Sequence, residues 1–125
     1  MSKVSKEGKL RLLELKKLEL EGAIYGLRDE VIIYLTAKNE DGEEVVITTY
    51  TADYIYKLRK PLYGLPEGSK VIEEYKGSKS MWAYKRRDYP IKRKWVSVIY
   101  SKCVFLENIG GKIKVPKMRF KKLKK

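Results

Sequence analysis

The side chains best equipped for chemistry lie in one segment, K-G-S-K-S-M-W-A-Y-K-R-R-D-Y-P-I-K-R-K-W (76–95). It interleaves Trp82, Tyr84, Tyr89 and Trp95 with Lys79, Lys85, Arg86, Arg87, Lys92, Arg93 and Lys94. Single-stranded nucleic acid needs both kinds of group. Cations neutralise phosphates and release counterions, while rings stack on unpaired bases at roughly 1–3 kcal/mol each. Arginine adds planar stacking and bidentate phosphate contacts that lysine cannot make. Trp95 opens an apolar run and reads as a core residue; Trp82 and Tyr84 read as binding residues.

Catalytic chemistry has less to stand on. The chain has no His, the commonest general base and metal ligand. Its single Cys, Cys103, rules out an internal disulfide and a zinc knuckle and reads as a small core residue. Adjacent acids include Glu73-Glu74, Glu43-Glu44 and Glu40-Asp41. Neighbours on a strand face opposite sides, and the other two pairs sit at a turn, so none forms an acid–base or two-metal site by itself. Gly110-Gly111-Lys112 lacks the spacing and following helix of a phosphate loop. The chain is therefore expected to be non-enzymatic, with no cofactor, metal or small-molecule substrate. A nuclease would need acids from distant parts of the sequence to converge.

The charge distribution points the same way. The 125 residues carry 29 Lys+Arg against 16 Asp+Glu, a net charge of +13. Residues 1–75 hold 12 basic and 14 acidic side chains, whereas residues 76–125 hold 17 against only Asp88 and Glu107. The positive field thus belongs to the last part of the chain, and such a field attracts polyanions. The stretch 110–125, G-G-K-I-K-V-P-K-M-R-F-K-K-L-K-K, has no acid and is expected to be a flexible basic tail behind a domain of residues 1–109. Its interspersed apolar residues would also suit a membrane surface, but the aromatic segment favours nucleic acid. No Gln, only two Asn and abundant Lys, Glu and Arg suggest a thermophilic source. No apolar run is long enough to span a membrane, and M-S-K-V-S-K-E-G lacks the apolar stretch of a signal peptide, so an intracellular (cytoplasmic) location is expected.

These side chains need a scaffold. Residues 9–25 combine helix formers in their first half with the alternation Leu18, Leu20, Gly22, Ile24; a strand is expected over at least 17–25, with 9–16 open to either state. Gly22 would mark a bulge or bend. After a G-L-R-D-E connection, V-I-I-Y-L-T-A-K (31–38) and V-V-I-T-T-Y (45–50) read as a hairpin around Asp41-Gly42. Thr51 is placed to cap a short helix over 52–60, which Pro61 would stop. K-V-I-E-E-Y-K (70–76) and W-V-S-V-I-Y-S-K-C-V-F-L-E (95–107) read as the fourth and fifth strands. Alternation in the hairpin would put Tyr34 and Tyr50 on one outer face.

This element order, together with L-P-E-G-S-K-V-I-E-E-Y-K-G (65–77), resembles the OB-fold over roughly residues 10–107. The resemblance implies a mainly β, small five-stranded OB-like barrel with one short helix between strands 3 and 4 and a basic C-terminal tail. It also implies that segment 76–95 is a binding loop and that Tyr34 and Tyr50 form a stacking platform. The expected function is non-enzymatic binding of single-stranded nucleic acid, DNA in preference to RNA. The alternatives are a duplex-coating architectural protein and a structural or assembly protein, such as a viral one, with homo-oligomers formed through sheet edges.

Overall fold

A computed structural model describes residues 6–76, 88–118 and 120–121. The order of elements is α1 (Lys6–Leu20), β1 (Ile24–Lys38), β2 (Glu44–Leu58), β3 (Lys70–Lys76), α2 (Asp88–Ile99), β4 (Cys103–Ile109) and β5 (Lys112–Lys114). The strands form one five-stranded sheet in the order β1-β2-β3-β4-β5. All neighbours are antiparallel except β3 and β4, which are parallel and joined across α2. The fold is mainly β, but the sheet is open, with β1 and β5 at its edges.

Each helix covers one side. Leu15 of α1 packs with Ile24, Tyr54, Tyr56, Leu58, Val71 and Leu106. Tyr89 and Val96 of α2 pack with Ile33, Leu35, Tyr50, Ala52, Ile72 and Phe105. Both β3 and β4 are therefore buried on two faces, and their consecutive apolar residues Val71-Ile72 and Phe105-Leu106 divide between the two cores.

Three expected elements differ from the structure. Residues 17–20 continue a helix instead of forming a strand. Gly8, Arg11, Leu15 and Leu18 recur at helical spacing toward the sheet, and Gly22, at a φ of 80°, ends the helix instead of bulging a strand. Residues 52–58 are strand, not helix: Tyr54, Tyr56 and Leu58 alternate into the α1-side core while Ala52 faces the α2-side core, and this burial prevails over the capping potential of Thr51. The helix expected between the third and fourth strands thus does not exist. Instead α2 spans 88–99, over the end of the expected binding loop and the first residues of the strand expected from Trp95; Asp88 and Pro90 suit its first turn. The G-L-R-D-E connection lies within β1, with a register shift between Tyr25 and Arg28.

The hairpin over 31–50 has its expected turn. Asn39 Oδ1 accepts from the amides of Asp41 and Glu43, and Gly42 supplies a φ of 81°. Ile32 and Tyr34 point outward as expected, but Tyr50 does not. A register shift between Leu35 and Thr36 changes the alternation, leaving Ile47 exposed and Tyr50 buried. Gly110-Gly111 is the two-residue turn joining β4 to β5, both residues at positive φ.

Candidate active site

The strand β3 carries two consecutive glutamates, and both are buried. Glu73 faces α1. Arg11 grips it bidentately, Nε on Oε2 at 2.8 Å and Nη2 on Oε1 at 2.7 Å. Tyr56 Oη donates to Oε1 at 2.7 Å, and Asn108 Nδ2 reaches Oε2 at 3.4 Å. Burial disfavours the charged guanidinium, but hydrogen bonds and attraction from Glu73 outweigh it, so the Arg11 pKa rises above its ordinary value. Burial and the Glu73 charge likewise raise the Tyr56 pKa. This carboxylate is matched by one cation and by donors to both oxygens. A cavity of about 500 Å³ lies beside it, lined partly by Arg11, Tyr63, Tyr75 and Asn108. Its charged groups are mutually paired, Arg11 with Glu73 and Glu14, and Lys17 with Glu21.

Glu74 faces the other way and has different company. The ladder between β2 and β3 ends at Tyr54 opposite Glu73. Past that pair β2 follows β1, while β3 follows β4 as far as Lys76 opposite Ile109. The sheet therefore forks. In the fork, Asp53 Oδ2 accepts the Tyr75 amide at 2.7 Å, replacing the backbone carbonyl that the ladder no longer supplies.

Asp53 also lies close enough to Glu74 for the two carboxyl groups to interact, which disfavours the charged form of Asp53. Burial first, and then repulsion from Glu74, push the Asp53 pKa up to about 8, against the pull of the Tyr75 amide and Lys76. Lys76, two residues after Glu74 and hence on the same face, places Nζ 2.9 Å from Glu74 Oε2. The Tyr50 hydroxyl donates to Glu74 Oε1. Burial and Glu74 raise the Tyr50 pKa above its ordinary value and keep it a donor.

The fork opens into a cleft of about 280 Å³ whose walls include Tyr50, Glu74, Lys76, Asp88, Tyr89 and Lys92. Asp53 backs Glu74 from behind. The first turns of α2 supply the far wall, where Lys92 Nζ lies 3.5 Å from Asp88. Glu107, level with Glu74 on β4, accepts from Tyr89 Oη at 2.6 Å and Arg93 Nη1 at 2.8 Å. These bonds anchor α2 across the cleft. The result is an acidic pair with an adjacent lysine, beside a cleft that Lys92 also lines.

The residues expected to bind nucleic acid are dispersed. Lys79, Trp82, Tyr84, Lys85, Arg86 and Arg87 lie outside the described residues. Tyr34 is exposed on the outer face of the hairpin. Tyr50 and Tyr89 are buried, where their hydroxyls serve Glu74 and Glu107. They are thus no stacking platform. Lys92 lines the cleft, Arg93 holds Glu107, and Lys94 is exposed on α2. Trp95 packs against the α2-side core and donates Nε1 to the Thr36 carbonyl at 3.2 Å. Cys103 packs there too.

The functional candidates not singled out from the sequence are Asp53, Glu74 and Lys76. Asp53 and the E-x-K spacing of β3 were the available signal, but Asp53 stood in an expected helix and Glu74 was paired with its neighbour. Among the described residues no three His, Cys, Asp or Glu side chains form a metal cage. No family model, curated protein or solved structure matches this chain.

Proposed function

We propose that this protein binds nucleic acid and hydrolyses its phosphodiester bonds with the help of a divalent cation, at the cleft lined by Glu74 and Lys76, with Asp53 against Glu74 at the fork. One observation carries the reading: the fork between β2 and β3 brings two carboxyl groups together, and Lys76, the partner of Glu74, lines a cleft with Lys92. Glu74 is paired with Lys76 as Glu73 is with Arg11, but Glu74 also has a second acid, Asp53, against it beside a cleft, and perturbed acids next to a cleft mark functional sites.

The donor set fits a hard cation of the Mg²⁺ kind. Such ions are held by one or two carboxylates and keep waters and substrate phosphates as their other ligands, so a closed cage is not needed. Glu74 and Asp53 would hold it, and the bound ion would polarise a phosphate oxygen and lower the pKa of a water. Hydrolysis then adds water across one P–O bond: the water oxygen joins phosphorus, and the departing sugar oxygen takes up a proton. Asp53, whose pKa is raised by burial and by Glu74, must give up its proton before it can act as a ligand. Lys76 Nζ is placed to offset charge that builds on the phosphate oxygens in the transition state. Tyr50 and Lys76 orient Glu74, and Lys92 across the cleft can hold a neighbouring phosphate.

Binding follows from the same electrostatics, and non-enzymatic association with single-stranded DNA is the second reading. It is favoured by the 17 basic side chains against two acidic ones after residue 75, a distribution that suffices without chemistry. Labelled single-stranded and duplex oligonucleotides, incubated with Mg²⁺ or Mn²⁺, separate the two. Cleavage that disappears in Glu74→Gln while affinity persists supports hydrolysis. Tight binding with no cleavage of any substrate in either metal overturns hydrolysis and leaves binding alone.

A further inference from the structure

The end of the sheet away from the cleft carries a row of cations on its α2 side. Tyr25, Lys57, Lys70 and Cys103 stand level across β1, β2, β3 and β4. Lys57 lies between Tyr56 and Leu58, which point into the α1-side core, so it points to the α2 side, and Lys70 opposite it does the same. Arg28 is level with Ile55, which packs against the α2-side core, and shares that face. Arg59 joins them: its Cζ lies 4.3 Å from the centre of the Tyr25 ring, and Lys57 Nζ lies 5.8 Å from it. Arg28, Arg59 and Lys70 are exposed, and Lys57 is half-buried.

Two features set this row apart from the general basicity of the chain. Like charges directly opposite on neighbouring strands destabilise a sheet, and Lys57 and Lys70 are so placed. At the other end of the same face, Lys76 has Glu74 and Arg93 has Glu107. Among the described residues, Arg28, Lys57, Arg59 and Lys70 make no ion pair. Asp29, next to Arg28, is level with Tyr54 and faces α1 instead. The second feature is the Tyr25 ring, which holds two of the cationic heads in place, so less freedom is lost when an anion binds them.

We propose that this row, Arg28, Lys57, Arg59 and Lys70 around Tyr25, holds the phosphate backbone of single-stranded nucleic acid at a second contact, distant from the cleft. The proposal rests on the nucleic-acid reading above and adds to it where a long strand is held. A polymer with regularly spaced charges neutralises several cations of the row at once, which one small anion cannot do. Lys70 and Lys76 lie on the same face at the two ends of β3, about 20 Å apart at roughly 3.3 Å per strand residue. At about 3.4 Å per phosphate of a stacked strand, roughly six nucleotides are needed to reach from one to the other.

The full chain is titrated with an oligothymidylate of about 20 nucleotides, longer than one site, and with a trinucleotide, at several salt concentrations. For the long strand, Lys57→Gln/Lys70→Gln should lower the slope of log affinity against log salt by about 1.4, two phosphates at about 0.7 each, and reduce affinity at low salt at least about tenfold. Trinucleotide binding at the cleft should not change. Lys9→Gln/Lys16→Gln removes the same charge from two exposed positions of α1 and should leave most of the slope intact. Because the two row lysines repel each other, their double variant should melt no lower than the wild type, which separates lost binding from lost fold. An unchanged slope in the row variant, or an equal loss in the α1 variant, would overturn the proposal. Lost binding to phosphatidylserine vesicles with oligonucleotide binding intact would overturn it in favour of a membrane surface. Binding is read without cleavage, so a wild type that cuts nothing yet shows the expected slopes overturns hydrolysis and supports the row. Where the long strand is cut, the row variant should raise KM and leave kcat unchanged.

Discussion

Glu73 and Glu74 are consecutive, equally well buried, and opposite in electrostatic design. On the α1 side, Glu73 meets one guanidinium in a bidentate pair and a tyrosine hydroxyl. That arrangement closes on itself: each oxygen has donors, the charges cancel, and nothing remains to offer a ligand. On the α2 side, Glu74 meets another acid, and the lysine that balances it also lines an open cleft. The comparison teaches that burial of a carboxylate does not by itself distinguish support from function. What distinguishes them is whether the fold completes the neutralisation or leaves it to be completed by a proton or a cation.

The largest effect expected from breaking this contrast is on stability at Glu73. Arg11→Ala strands a buried carboxylate, which costs about 3–5 kcal/mol when one partner of a buried pair is removed. Urea unfolding would read this as a lower midpoint with an unchanged slope. Glu74→Gln should cost far less stability, because it removes repulsion against Asp53 along with the attraction of Lys76. If the two substitutions destabilise equally, the two faces are both structural and the distinction fails.

Next in size is the effect on reaction rate. Glu74→Gln and Asp53→Asn should each reduce cleavage by about 10²–10³-fold, the scale of losing one preorganised electrostatic group, with binding retained. A loss confined to affinity would instead assign these acids to substrate docking.

The pH dependence sharpens the comparison further. Asp53 holds its proton more tightly in the folded state, about 8 against 3.8 ordinarily, so between these values the folded protein binds more protons than the unfolded chain. This group's unfavourable contribution is absent below the unfolded value and complete above the folded one, so stability falls as pH rises from about 4 to about 8. Thermal unfolding of Asp53→Asn should lose that slope. Mg²⁺ should stabilise the wild type more at pH 8 than at pH 6, since it competes with the proton on Asp53. A slope unchanged in Asp53→Asn would place the titration elsewhere.

The smallest effect belongs to the rim. Lys92→Ala should lower the dependence of log affinity on log salt by roughly the value for one phosphate, about 0.7 on a single strand. Titrations at several salt concentrations would show a near-parallel loss across sequences. A sequence-dependent loss would mean that Lys92 reads bases.

Much of the scaffold is legible in the sequence. The hairpin of β1 and β2 was marked by β-branched runs around Asn39–Gly42, and β3 by K-V-I-E-E-Y-K between turn residues. Segments 17–20, 52–58 and 95–99 were misplaced because local preference there opposes the packing that decides them. Tyr54, Tyr56 and Leu58 reward an alternating strand with burial, and Val96 rewards a helix whose β-branched residues disfavour it on their own.

By itself the sequence determined the charge asymmetry, because composition needs no contacts, and it determined that Glu73 and Glu74 point to opposite sides, because strand alternation is a property of the backbone. Only the tertiary structure decided that one meets a guanidinium from a distant helix and the other meets a second acid. Arg11 comes from the first helix and Asp53 from a strand more than twenty residues earlier, and no local rule of spacing brings either one to β3. The sheet fork does so: where β2 leaves β3, an unpaired amide recruits Asp53, and that backbone requirement sets two acids side by side.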